Sequence, residues 1–578
     1  MEGGKAMHLD GFFVNALTAE LNKAVAGSRV EDVYTQDNNL VIQLRAPGRT
    51  LRLAISVHTH PYGLYLTRER GDKTATAFDQ TVKKHLRGLF CTALDNPPFE
   101  RKTTLDFAPA PSGSADFFLH VEIMGRNNDI ILCRGDTILV STRPPHREGT
   151  RNLQPGDRYA PPPPPGKMPP QNLTPEVLKM LLHNAGSSAP DAVLVRSLLG
   201  MSPHLAREIC WRCNIAEKNV QALCDADIHL MHREIQILAQ ASLQGKTKPS
   251  LYPQGPYWTE LLSLGTAPRP GASLSAILES WSTRLRTSQS FDAGKKQLLA
   301  AIRARIIKLD RTIAKQQAEK QRALQAEYFR QIADTLLAAA HNIPRGAAEA
   351  VLTNVHTGEP VRIDLDPGKT ASGNASHYYK LYNKYKTALA QVNAQIHKNR
   401  EQLAYMATLE YAAEAAETPA ELQEIRAEME EQGLLRRGSA RSRTPGDEQA
   451  FLSYLSPHGH KVLVGKNNRQ NEILTLKKAD KSHYWLHARH SPGSHVILCT
   501  DAPGDADLEF AAAVAAWHSK ARNSPKVEVV WTQVKNVKKI PGARPGMVQY
   551  SQYKSAFIEP RLPSTGAESP EIPGTVRR

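Results

Sequence analysis

An α+β multi-domain fold is predicted for this chain, and three observations predict it. Short runs that alternate apolar and polar residues follow one amphipathic helix within the first 160 or so residues. Two apolar seams with an average spacing of about 3.5 residues occupy the middle, as coiled-coil helices require. A compact stretch near the C-terminus mixes strand-like runs with basic and ring side chains. At 578 residues the chain exceeds what one core serves, so several domains follow.

The first region, 1–170, opens with a helix from Phe12 to Val25 that carries Leu17, Leu21 and Val25 at i, i+4 and i+8. Leu40–Leu44, Leu51–Ile55 and Phe117–Ile123 alternate as half-buried strands do. Gly125-Arg126-Asn127-Asn128-Asp129 is expected to turn the chain, and Ile130-Ile131-Leu132 to begin the returning strand. The run Ala160-Pro161-Pro162-Pro163-Pro164-Pro165-Gly166 suits neither sheet nor helix and reads as a stiff linker.

Residues 171–288 read as a punctuated helical bundle. Leu198-Leu199-Gly200-Met201-Ser202-Pro203 has the grammar of a helix-hairpin-helix. The glycine releases the backbone, the serine caps the second helix, and the proline takes its first turn. Such hairpins offer backbone amides to phosphates, although an ordinary bundle corner has the same signature.

In region 289–435, Ile302, Ile306, Leu309 and Ile313 form one seam. Tyr385, Leu389, Val392, Ile396, Asn399, Leu403 and Met406 form the other. A non-helical insert at 343–372, with Pro344, Gly358, Pro360, Pro367 and Gly368, separates them. The economical arrangement is a long antiparallel coiled coil with a small tip module; a homodimeric coil is the competing one. A basic linker is expected over 436–450, an α+β domain over 451–561 and a disordered tail over 562–578, which is rich in Pro, Ser, Gly and Thr.

Charge narrows the partner. Seventy-three Lys and Arg stand against 57 Asp and Glu, a net +16 that favours a polyanion. A merely basic soluble protein would share this excess, so clustering decides. Between 461 and 490 there are seven Lys and Arg and two Asp and Glu. Amides and rings are interleaved there: Asn467, Asn468, Gln470, Asn471, His483, Tyr484, Trp485 and His487. Cations neutralise phosphates, amides reach sugars and base edges, and rings stack on unpaired bases. Lys466, Asn468, Arg469, Gln470, Lys478, Trp485 and His487 are therefore candidate RNA-binding residues. Lys535 and Lys538, in the second cluster Trp531–Lys539, join them. A solvated basic face would use Lys and Glu without so many amides and rings.

The same residues carry a resemblance. Gly465-Lys466-Asn467-Asn468-Arg469-Gln470-Asn471, Trp485-Leu486-His487-Ala488-Arg489 and Pro492-Gly493-Ser494-His495-Val496 resemble the RNA-binding signature of the NFACT family. Val537-Lys538-Lys539 and Gly542–Val548 continue it. Asp10-Gly11, Lys84-His85-Leu86-Arg87-Gly88 and Glu122–Asn128 resemble the family's N-terminal domain. Leu365-Asp366-Pro367, Asn374 and Tyr378–Lys384 resemble its middle. The likeness runs in order over about 7–561. It implies an NFACT N-terminal domain over 1–170 and an NFACT RNA-binding domain over 451–561.

The resemblance also implies a function. The chain would bind the large (50S) ribosomal subunit and 23S rRNA where a nascent chain is still held as peptidyl-tRNA. It would recruit alanyl-tRNA, promote mRNA-independent alanine tailing that marks the chain for degradation, and meet other quality-control factors. Peptidyl transfer belongs to the ribosome, so neither catalytic residues nor a cofactor is expected. In the family, an acidic residue followed by Arg, in a strand after the Lys-His-Leu helix, serves tRNA recruitment. The matching pair is Glu100-Arg101, where the family pattern is Asp-Arg; Glu departs from it by keeping the charge and extending the carboxylate by one methylene. Asp10, Arg126 and Asn128 are carried over as further tRNA-binding positions. The name fibronectin-binding protein A, also used in the family, implies a surface adhesin as the competing reading. A DNA glycosylase relationship is the other, but its N-terminal proline nucleophile is missing, since the first proline is Pro47.

Other features are expected to be structural. Six cysteines read as reduced thiols. Cys210-Trp211-Arg212-Cys213 with Cys224 and His229 lacks regular zinc spacing and reads as helix packing. Neither a signal peptide nor a membrane span is recognised, so a cytoplasmic, membrane-free monomer is expected.

Overall fold

The computed structural model describes residues 7–58, 60–143, 151, 153–163, 165–436 and 451–562. The expected linker at 436–450 and tail at 562–578 lie outside these residues except for Arg436 and Leu562. The chain forms two compact units, up to Ser288 and from Gln289 onward.

In the first unit, helix α1 (Gly11–Val25) starts where Asp10 Oδ1 accepts the Phe13 amide at 2.8 Å, satisfying a free helix-end donor. Nine antiparallel strands follow: β1 (Ser28–Gln36), β2 (Asn39–Ala46), β3 (Arg49–Ser56), β4 (Gly63–Leu66), β5 (Phe90–Asp95), β6 (Lys102–Ala108), β7 (Phe117–Glu122), β8 (Asp129–Arg134) and β9 (Thr137–Ser141). They lie in the order β4-β3-β2-β1-β5-β6-β7-β8-β9. Asp37 and Asn38, with φ of 51° and 62°, make the β1–β2 turn, the conformation that two-residue hairpins favour. Helix α2 (Ala77–Leu86) begins with a reciprocal cap between Thr76 and Asp79.

Helices α3 (Pro175–His183), α4 (Pro190–Ser197), α5 (Pro203–Arg212) and α6 (Asp225–Leu243) follow. Ser202 caps α5 and Gly200 has φ of 73°, as the hairpin grammar requires. Phe12, Phe13, Leu105 and Leu119 share one continuous core with Leu178, Leu205, Ile235 and Trp258, so sheet and bundle are one packed body. A small sheet pairs β10 (Ser250–Tyr252) with β11 (Gly255–Tyr257) and β12 (Arg269–Pro270).

Helix α7 (Leu274–Ala323) runs from the first unit into the second. Within the second unit its later part lies antiparallel to α9 (Ala371–Ala415). Lys295 donates to the Glu414 and Ala416 carbonyls, Arg303 binds Glu410 and Glu414, and Gln316 accepts from Asn399. Leu298, Ile302 and Leu309 meet Tyr405, Met406 and Leu409 in the seam. Helix α8 (Ala326–Ala338) and the hairpin β13 (Glu349–Thr353) and β14 (Pro360–Asp364) form the tip module, with Ile332, Leu336 and Ile363 as its core. Helix α10 (Pro419–Glu431) adds Leu422, Ile425 and Met429 to the seam's core.

The C-terminal sheet uses β15 (Leu452–Leu455), β16 (Lys461–Val464), β17 (Tyr484–Ala488), β18 (Val496–Leu498), β19 (Val527–Gln533) and β22 (Lys554–Ile558), in the order β15-β16-β18-β17-β19-β22. Helix α12 (Asp505–Trp517) covers one face through Phe510, Ala511 and Val514. The other face has a smaller core of Leu474, Trp485, Ile497, Val530, Val534 and Val537. Helix α11 (Asn468–Ile473), the π turn Leu474–Lys478 and the ribbon of β20 (Val537–Lys539) and β21 (Val548–Tyr550) lie in this part of the chain.

Candidate nucleic-acid interfaces

In the first unit, Glu100 and Arg101 lie on the turn between β5 and β6 rather than in a strand, which corrects the sequence expectation. The turn is tightly held. Asn15 Oδ1 accepts the Phe99 amide at 3.0 Å and also the Asn96 side chain. The Phe99 ring packs on Phe12 at 4.7 Å, and its backbone sits at φ of 62°, a conformation unfavourable for a bulky residue. Gly11 makes this possible, because a Cβ there would fall 1.9 Å from the Phe99 carbonyl oxygen. The Gly11 amide donates to the Gly200 carbonyl at 3.1 Å, so the hairpin glycine completes the clamp.

On the other side, Lys102 is buried beneath Tyr159, its ammonium 4.8 Å from the ring centre. Burial pulls the Lys102 pKa down, opposed by the Glu122 and Glu100 carboxylates. Arg151 forks onto buried Glu122 at 2.9 and 2.8 Å, and Tyr159 donates to the same carboxylate. Glu100 and Arg101 thus project from a braced turn. Neither side chain makes a hydrogen bond or ion pair with another described residue, so the pair is not a surface salt bridge.

Asp10 is buried. Besides capping α1 it accepts from Tyr257 Oη at 2.5 Å. Burial raises its pKa, opposed by hydrogen bonds from Ser202, Tyr257 and Phe13 and by the nearby Arg101 charge. Asn128 is also buried; its amide donates to the Val57 carbonyl at 3.0 Å while its own oxygen has no partner among the described residues. The backbone of Arg126 lies in the short turn Gly125–Asn127, but its side chain is outside the described set. Arg101 lines a cavity of about 190 Å³ with His8, His60, Tyr62, Ile123 and Gly125. The structure therefore brings Asp10 and Arg101 together and leaves Asn128 to hold backbone.

In the second unit the signature around Lys466 is turned inward. Glu421, Glu424, Glu428 and Glu431 stand at i, i+3, i+7 and i+10 on α10, one stripe of the helix. Lys466 binds Glu421 at 2.8 Å, and Asn467 and Gln470 both donate to Glu424 at 2.6 and 3.0 Å. Asn468 donates to Glu428 at 3.0 Å and to Thr408 of α9 at 2.9 Å. Arg469 approaches Glu431 at 3.6 Å. Tyr405 donates to Glu428 at 2.6 Å and carries the Arg544 guanidinium 4.5 Å above its ring. Burial would raise the Glu421 carboxyl, but Lys466 and the Glu417 amide outweigh it and hold it below the ordinary range.

Trp485 corrects the expectation of an open stacking ring. It is 1% exposed, with its ring parallel to His487 and edge-on to His495, and Tyr550 tilted against it. Burial pushes the half-buried His487 down to about 4, so its ring is neutral at physiological pH. By contrast Lys478, Lys535 and Lys538 are exposed, and none forms an ion pair with a described residue. The reading from sequence missed α10's acidic stripe, although its 3-4-3 spacing was there to find. It also missed Arg489 with Tyr553 and Phe557, whose strand alternation shows only once the sheet is assembled.

Cys210 and Cys213 are buried in the first core, and burial pushes their thiols up to about 12 and about 11. No helix among the described residues is long and apolar enough to cross a membrane.

The family model for NFACT N-terminal and middle domains matches residues 10–447, and that for the NFACT protein RNA binding domain matches 450–551. The chain is 27% identical over 576 residues to a Bacillus subtilis (strain 168) protein named Rqc2 homolog RqcH, covering 96% of this chain and 98% of that one. A protein of the same name from Streptococcus suis (strain 05ZYH33) is 28% identical over 574 residues, with the same two coverages. Among solved structures, the C-terminal part of the fibronectin/fibrinogen-binding protein of Streptococcus suis is 28% identical with a TM-score of 0.38. That match covers 47% of this chain and 96% of that one.

Proposed function

The chain belongs to the NFACT family, and on that premise we propose that it is a ribosome-associated quality-control factor. It binds large ribosomal subunits that retain peptidyl-tRNA, recruits alanyl-tRNA, and promotes alanine addition to the stalled chain. The ribosome performs peptidyl transfer; this chain positions RNA. Its name-sharing relatives, matched over nearly their whole length, support that role.

The observation that carries the reading is the Glu100–Arg101 turn. A carboxylate and a guanidinium are held on a braced loop, with neither side chain hydrogen-bonded or ion-paired to another described residue. Arg can fork onto phosphate or a guanine edge, and a carboxylate can accept from a base amine. Asp10, which the resemblance places in the same tRNA surface, acts from beneath by fixing α1 and the field around Arg101. In the C-terminal domain Lys478, Lys535 and Lys538 are the phosphate-contacting candidates, while Lys466, Asn468, Arg469 and Gln470 hold the domain to α9 and α10.

The test is affinity purification of the tagged full chain from cells, with sequencing of the co-purified RNA, beside a Glu100→Ala/Arg101→Ala variant. Large-subunit rRNA with one enriched alanine tRNA is expected, the tRNA alone being lost in the variant. Recovery of neither rRNA nor any particular tRNA with the unmodified protein would overturn the reading.

A further inference from the structure

The second face of the C-terminal sheet is covered over only part of its width. Its core draws residues from β16, β17, β18 and β19, and none from β22. On that open flank, strand alternation puts Tyr553, Ser555 and Phe557 on the same face as Glu528 and Val530, which pair in register with Phe557 and Ser555. Phe557 is 68% exposed and Tyr553 is 41% exposed.

One exposed phenylalanine needs no explanation. The surroundings of this one do. A chain of rings leads outward from the core, with Tyr550 on Trp485 at 5.1 Å and Tyr553 on Tyr550 at 5.2 Å. Arg489 completes it: its guanidinium lies 5.5 Å from the Tyr553 ring centre and donates to the phenol at 3.3 Å. The same Arg binds Glu528 at 2.7 Å, so the carboxylate beside Phe557 is neutralised. Lys538 pairs in register with Gln549, next to Tyr550, and is exposed. Lys554 begins the strand that carries Phe557 but, paired with Trp531, belongs to the opposite face.

We propose that this open flank of the sheet, built on Tyr553, Phe557 and Arg489 and flanked by Lys538, is a stacking platform for unpaired bases of single-stranded RNA. The proposal rests on the RNA-binding reading of the chain and names the surface that reading left unassigned. Pre-positioned rings stack any base; the guanidinium, paired with Glu528, holds the Tyr553 ring in place, and Lys538, ion-paired to no described residue, is the cation for an adjoining phosphate. Tyr553 immediately precedes the strand and Phe557 lies four residues on, about 13 Å away at extended-chain rise, which leaves room for each to take its own base. The exposed Lys538 of the neighbouring ribbon favours a polyanion over an apolar peptide. A peptide adding to β22, the strand at the sheet's edge, is the other occupant the geometry admits, and the test includes it.

The experiment measures binding of the full chain to a short unstructured RNA and to an RNA duplex of the same length, by fluorescence anisotropy. Tyr553→Ala/Phe557→Ala should weaken single-strand binding about thirty-fold or more, the scale of two lost stacking contacts. Duplex binding, which depends on phosphate charge, should stay within about two-fold. Phe557→Trp should retain wild-type binding, and an unchanged thermal melt shows that the fold is intact. Equal single-strand binding by the double variant would overturn the platform, as would a parallel loss for both RNAs. A photo-crosslinker at position 557 that captures only protein in cells would also overturn it, in favour of the peptide. If the unmodified chain binds neither RNA, the RNA-binding reading itself falls, a result distinct from loss of the platform alone.

Discussion

Glu428 and Asn468, forty residues apart in sequence, meet in a buried hydrogen bond of 3.0 Å. The acidic face of α10 thereby holds the most basic-looking signature of the chain against the coiled-coil arm. Tyr405 shares the same carboxylate, so three elements converge on one acceptor. Glu428→Ala leaves the buried Tyr405 phenol without its acceptor and the Asn468 amide with Thr408 alone, and should cost about 2–4 kcal/mol. Glu428→Gln, which keeps an oxygen in place, should cost clearly less. Denaturant unfolding of the full chain measures both, and equal costs would show that the acceptor is not what matters.

Salt dependence separates spent cations from free ones. Lys535→Ala and Lys538→Ala should each reduce the slope of log affinity against log salt by about one, as lost phosphate contacts do. Lys466→Ala should leave the slope unchanged, because Lys466 is already committed to Glu421. A slope change for Lys466→Ala matching that of Lys538→Ala would mean the α10 contact opens when RNA binds.

Gly11→Ala probes the braced turn from behind. Its Cβ would meet the Phe99 carbonyl at 1.9 Å, and backbone cannot swing aside as a long side chain can. The expected loss is about 1–3 kcal/mol of stability, the usual scale of overpacking, together with displacement of Glu100 and Arg101. Thermal unfolding measures the first effect and tRNA co-purification the second. A variant that melts like wild type and recovers as much tRNA would show that the turn is not held from this side.

Acid stability should depend on Asp507. Burial would raise its carboxyl, but hydrogen bonds from Ser456, His458 and Gly504 hold it down at about 2. A carboxyl whose folded pKa lies below its unfolded value stabilises the fold above the unfolded pKa, and that contribution is lost as pH falls through the folded one. Asp507 should therefore contribute no more than about 2.5 kcal/mol near neutrality, disappearing between about pH 4 and pH 2. Asp507→Asn should flatten that part of the stability profile; equal acid sensitivity of the two proteins would contradict the assignment.

Much of this architecture could be read from local pattern. Ser202 and Gly200 announced their hairpin because capping and left-handed backbone are decided within a few residues. Ile302, Leu309 and Met406 announced the seam because its period is set by helix geometry. Burial of Trp485 was not readable in that way. Alternation in β17 separates two faces but does not say which is covered, and the cover comes from segments up to sixty or so residues further on, including Val537 and Tyr550. The same holds for Lys466 and Asn468. Charges and amides look alike whether they face phosphate or a helix of glutamates, and only the fold brings α10 to them. Glu100 and Arg101 were placed by resemblance, while the brace beneath them needed the meeting of Gly11, Phe99 and Gly200.

Recruitment of tRNA for tailing by the braced Glu100–Arg101 pair is tested by mass spectrometry of C-terminal tails on a stalled reporter in cells. Wild type and Glu100→Asp should both give alanine tails, since either carboxylate is borne by the same turn. Glu100→Ala/Arg101→Ala should give none while still co-sedimenting with large subunits. Unaltered tails in the double variant, or no tails with the unmodified protein, would contradict the account.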